Sequence, residues 1–115
     1  MRFFNKGETL AYEGEPAETL FVLQDGKIGI FKNNKLITEI SGKGSIIGEL
    51  SLILNQERSA SIIALEDSSV LEIKVTAEDL IVKYPEVALQ ILKNLAKRLV
   101  KTTNQLSELK NNLPD

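Results

Sequence analysis

Up to about residue 75 the apolar positions fall in short runs separated by glycine, asparagine and charged residues. That spacing predicts the short strands of a barrel or sandwich. The expected strands are residues 9–12, 20–23, 27–31, 36–40, 61–65 and 70–73. Asn33-Asn34 separates the third from the fourth, where a two-residue hairpin turn demands positive φ and asparagine tolerates it. Residues 48–54, Gly-Glu-Leu-Ser-Leu-Ile-Leu, break the strand pattern and predict a short helix inside the β region. Such a helix exposes its first amides, which suits an anion site or, equally, a buried connector.

From Thr76 the period becomes helical. Thr76 and Asp79 are spaced as a capping box, Lys83-Tyr84-Pro85 ends that helix, and Pro85 suits the first turn of the next. The last helix is expected to reach about Asn112. Within it Ala88, Leu92, Leu95, Leu99, Thr102, Leu106, Leu109 and Leu113 recur at alternating spacings of four and three, the a/d pattern of a coiled-coil seam. A helix of about 28 residues is roughly 42 Å long. A small barrel cannot cover that length, so a parallel homodimer is expected rather than packing on the chain's own barrel. Thr102 is the polar residue of the seam; it is a candidate both for setting register and for touching a ligand.

Composition narrows the chemistry. The 115 residues contain no cysteine, which excludes disulfides, iron–sulfur clusters and thiol catalysis and suits a reducing, cytoplasmic setting. They contain no histidine, which excludes imidazole ligation of zinc or haem and serine–histidine relays. A net charge of −2 and a pI near 5.3 argue against a nucleic-acid surface. No apolar run approaches the roughly 20 residues of a membrane span, and the N-terminus has no signal-peptide pattern. No catalytic residue, metal or cofactor is expected, and a binding module is favoured over an enzyme. Gly42-Lys43-Gly44-Ser45 lacks phosphate-loop spacing and reads as a turn. Lys93, Lys97, Arg98 and Lys101 read as a solvated helix face.

The densest signal is Gly48-Glu49-Leu50 followed, after seven residues, by Arg58-Ser59-Ala60 with Ile62 and Ala64. This resembles the phosphate-binding cassette of cyclic-nucleotide-binding domains, as in protein kinase A regulatory subunits, nucleotide-gated channels and bacterial catabolite activator proteins. The stretch from Gly14 through Glu15, Pro16, Ala17, Glu18, Thr19, Leu20 and Phe21 to Gly26 is similar to the family's second signature. Ala11 departs from the valine or isoleucine usual there, a mild change in strand packing. The resemblance implies a mainly β fold with α. It would comprise a double-stranded β-helix, jelly-roll-like barrel over residues 1–75 with the cassette at 48–61, a short helix at 76–84, and a long C-terminal dimerisation helix at 85–113.

It also implies a ligand and roles. Arg58, a permanent planar cation, would bind the phosphate, with the Ser59 hydroxyl beside it and Leu50 and Ala60 as cassette contacts. Glu49, an acceptor when ionised, would take the ribose 2′-OH and hold the other donors of Arg58, and Gly48 would let the backbone approach the sugar. Residues 95–103 look like the part of the catabolite-activator helix that supplies adjacent hydroxyls to the base, which puts Thr102 and Thr103 there. The expected ligand is cAMP; cGMP stays open, because a hydroxyl after the arginine also serves cGMP selection. The leading function is a cAMP sensor that transmits occupancy through its C-terminal helix. The alternatives are the sensory part of a transcription regulator without its DNA-binding domain, and a degenerate barrel kept for protein interaction.

Overall fold

A computed structural model describes residues 1–112; the last seam position, Leu113, and Pro114-Asp115 lie outside the described residues. Strands β1 (Arg2–Phe4), β2 (Thr9–Ala11), β3 (Thr19–Asp25), β4 (Lys27–Lys32), β5 (Lys35–Ser41) and β6 (Ile46–Ile47) precede helix α1 (Glu49–Ile53). Strands β7 (Ser61–Ala64) and β8 (Ser68–Lys74) follow, then helices α2 (Ala77–Lys83) and α3 (Pro85–Asn111).

The strands pair antiparallel in two four-stranded sheets, ordered β1-β8-β3-β6 and β2-β7-β4-β5. Two interleaved sheets of this kind are the jelly-roll architecture. Among the described residues they stay two sheets; no strand pairing joins them into one closed barrel. The apolar faces meet in a single core drawn from both, with Phe4, Phe21, Leu23, Ile47 and Val70 from one sheet and Ala11, Ile28, Ile62 and Ala64 from the other.

Sequence periodicity finds six of these strands and misses β1 and β6. The reason is length. β6 is two residues, and β1 sends only Phe4 into the core, so neither shows the alternation by which strands are read. Asn33 and Asn34 both take positive φ, 52° and 64°, between the paired residues Lys32 and Lys35, as a twist-matched hairpin turn requires. The Gly42–Ser45 stretch is a turn between β5 and β6, with the Ser45 hydroxyl donating to the carbonyl oxygens of Ser41 and Gly42.

α1 is five residues long and is stopped by a left-handed residue, Asn55, at φ 53°. The Gln56 amide donates to Ser51 O at 2.9 Å and the Asn55 amide to Leu52 O at 3.2 Å. This pair of bonds is the Schellman closure of a helix C-terminus. Asn55→Ala is therefore expected to destabilise the domain by about 0.5–1 kcal/mol, since alanine tolerates the left-handed region less well. Asn55→Gly should restore or exceed wild-type stability. Urea unfolding of both variants measures this, and an alanine variant as stable as wild type contradicts it.

The chain divides into two compact units, Met1–Asp79 and a second beginning at Leu80. The second is α3 with the end of α2. Leu80 and Ile91 are buried there, whereas seam residues Leu92, Leu99, Leu106 and Leu109 are 60–69% exposed. Ala88 and Leu95 are half-buried. Among the described residues no helix is long and apolar enough to cross a membrane.

Candidate functional site

α1 opens on Gly48 in the left-handed conformation, φ 85° and ψ 16°. Glycine is needed there twice over. A side chain would be strained at that φ, and a Cβ would stand 2.5 Å from Nη1 of Arg58. The first turn carries Glu49, which is 6% exposed and shares the inward face with Leu52. Leu50, Ile53 and Leu54 face outward. The helix thus turns one carboxylate and one leucine into the sheet unit and leaves an apolar rim outside.

Arg58 comes from the irregular stretch between α1 and β7, yet it is only 4% exposed. Its Nη1 donates to Gly48 O at 2.8 Å and its Nη2 to Thr19 O at the start of β3. Its Cζ lies 5.7 Å from the centroid of the Phe21 ring, within the range of a cation–π contact. Burial pushes the guanidinium below its ordinary pKa, and the Glu15 carboxylate pulls in the opposite direction. Arginine starts so high that it remains charged at neutral pH. The site is therefore a fixed, buried cation. Its planar fork has more donors than two carbonyls take, and an anion with paired oxygens suits the remainder.

Of the residues singled out in the sequence the structure brings Gly48 against Arg58, with Glu49 buried next to Gly48 in the chain. Ser59 is exposed and Ala60 half-buried, both immediately beyond Arg58. Thr102 and Thr103 lie on α3, in the second unit, and both are exposed. The Thr103 hydroxyl donates to Leu99 O at 2.9 Å, back along its own helix. Sequence reasoning missed the carbonyls of Thr19 and Gly48 and the ring of Phe21 as partners of Arg58. A backbone acceptor leaves no mark in residue type, and Phe21 reads simply as a core position. Among the described residues no cluster of three or more acidic side chains could hold a metal ion. A concavity of about 490 Å³ lined by Glu13, Phe31, Asn33, Asn34, Ser61 and Ile63 includes none of Gly48, Glu49 and Arg58.

Residues 1–80 match the family model described as the cyclic nucleotide-binding domain. The cyclic AMP receptor protein of Thermus thermophilus is 32% identical over 105 residues, covering 85% of this chain and 48% of that protein. A crystal structure of the catabolite activator protein of the same organism superposes with a TM-score of 0.74 at 30% identity, over 95% of this chain and 54% of that one. A cGMP-dependent protein kinase of Plasmodium berghei is 39% identical over 66 residues, 57% of this chain and 8% of the kinase. The chain spans about half the length of the bacterial receptor it matches. With the cassette arginine and glycine in place on a two-sheet jelly roll, this chain belongs to the cyclic nucleotide-binding domain family.

Proposed function

We propose that the chain is a cAMP sensor, a binding module rather than an enzyme, which forms a homodimer through α3 and passes occupancy along that helix. The observation that carries the reading is Arg58, a buried cation held in place by Gly48 O and Thr19 O. A cyclic nucleotide has one phosphodiester anion, and a preformed guanidinium fork meets it without first being ordered. Glu49, fixed at the first turn of α1, takes the ribose 2′-OH, and Ser59 adds a hydroxyl beside the phosphate.

Selection of the base falls to α3. The Thr103 hydroxyl proton is already given to Leu99 O, so the oxygen offers lone pairs. Adenine presents an exocyclic amino donor where guanine presents a carbonyl acceptor. An accepting threonine therefore favours cAMP. cGMP is the second reading, favoured by the exposed Ser59 next to Arg58. The exposed leucines of the seam, Leu92, Leu99, Leu106 and Leu109, would be covered by the same residues of a second copy. A nucleotide that favours one arrangement of the helix pair over another shifts the equilibrium between them.

Replacing Thr102 and Thr103 together by alanine is expected to weaken cAMP binding by about 1–3 kcal/mol, the cost of unpaired buried polar groups. cGMP binding should fall less, and the dimer should persist because leucines make most of the seam. Titration with both nucleotides and sedimentation of the variant provide the test. A wild-type chain that is monomeric with and without cAMP contradicts the dimer, and unchanged cAMP affinity contradicts the base contact.

A further inference from the structure

Between the end of α1 at Ile53 and the start of β7 at Ser61 the chain has no helix or strand of its own, yet Arg58 must be fixed there. The neighbouring turn supplies what is missing. The Gly14 amide donates to Arg58 O at 2.8 Å, and the Arg58 amide donates to Glu15 O at 2.7 Å. Pro16 forms an isolated antiparallel bridge with Glu57. The Glu13 amide donates to Oγ of Ser61 at 3.0 Å. Four successive residues, 13–16, thus hold the chain on both sides of the arginine, and both backbone groups of Arg58 itself are taken. Further along the same stretch, Thr19 O accepts from the guanidinium.

The geometry points to a positioning element: the turn at residues 13–16 clips the backbone of Arg58 so that the guanidinium stands ready for the phosphate of a cyclic nucleotide. The inference rests on the reading of Arg58 as the phosphate ligand. It gives a physical reason for the start of the second signature in the sequence. Holding the Cα of Arg58 removes backbone freedom before the ligand arrives, freedom that binding would otherwise have to remove. The Glu15 carboxylate supports the cation electrostatically from the same turn.

Gly14 is the handle for a test. Its φ is +89°, and no atom lies within 4 Å of an added Cβ, so a substitution changes backbone preference without a clash. Asparagine tolerates that conformation, alanine resists it, and β-branched valine resists it most. The measurement is titration of the full chain with cAMP and 2′-deoxy-cAMP at several salt concentrations for wild type, Gly14→Asn, Gly14→Ala and Gly14→Val, with circular dichroism and thermal midpoints alongside. Gly14→Asn is expected to bind cAMP within about twofold of wild type. Gly14→Val is expected to lose about tenfold in affinity, in line with strain at a disfavoured φ, with alanine between. The loss should come with a flatter salt dependence, because the charged contact is what has been misplaced. Discrimination against 2′-deoxy-cAMP should stay at its wild-type value.

If valine unfolds the domain, the ordering of asparagine above alanine decides. Equal affinity across the folded variants overturns the clip. So does a loss that keeps the wild-type salt slope while ribose discrimination falls, since that reports a generally loosened domain. A wild-type chain that binds no cyclic nucleotide overturns the reading of Arg58 and the clip with it.

Discussion

Arg58→Ala is expected to remove useful cyclic-nucleotide binding, at a cost of about 2–5 kcal/mol or more, the range for truncating one partner of a buried, hydrogen-bonded charge pair. The ligand's charge is its phosphate, and Arg58 is the arginine of the cassette. The same substitution acts on the free protein. It strips the part-buried carbonyls of Gly48 and Thr19 of their guanidinium donors, and each hydrogen bond lost costs about 0.5–1.5 kcal/mol net. The variant should therefore be less stable as well as blind to nucleotide, and still folded, because the apolar core does not include Arg58. Titration with cAMP and a thermal unfolding curve separate the two effects. Binding within threefold of wild type in a folded variant contradicts the phosphate role.

Phe21→Ala is expected to cost about 3–5 kcal/mol of folding stability, the usual range for deleting a buried aromatic. Phe21 is 2% exposed, lies in the middle of β3 and packs in the core shared by both sheets. Its ring also backs the guanidinium of Arg58. The loss should thus exceed that of a comparable core position without such a contact, and nucleotide affinity should fall with it. Phe21→Leu, which refills part of the volume, should recover most of the stability and little of the cation–π contact. Chemical unfolding and titration on the two variants provide the readout; a stability loss under about 1 kcal/mol for alanine contradicts the packing account.

Much of the architecture was legible because alternation and glycine spacing are written in side chains. β3, β4, β5, β7 and β8 each carry enough alternating residues to declare themselves, and Asn33-Asn34 marks its hairpin through a conformational demand few residues meet. β6 was silent because two isoleucines make no period, and β1 because it sends a single side chain inward. That the strands form two sheets rather than one closed barrel depends on long-range pairing, such as β1 with β8 and β3 with β6, which local pattern does not encode.

The site was legible unevenly for a related reason. Gly48, Glu49 and Arg58 stand out because their chemistry and spacing are uncommon together. The partners that hold Arg58 are carbonyls and an amide, on Thr19, Gly48, Glu15 and Gly14, and any residue can supply those. The stripe Leu92, Leu99, Leu106 and Leu109 was visible as a heptad, and its exposure on α3 is the cost that a second copy would relieve.

Isothermal titration of the full chain with cAMP tests the central claim most directly. The account predicts saturable binding of one nucleotide per chain, weaker binding of cGMP, and loss of the signal in Arg58→Ala. A folded wild-type chain that gives no saturable heat with cAMP or cGMP up to on the order of 1 mM, the edge of weak specific binding, would contradict it.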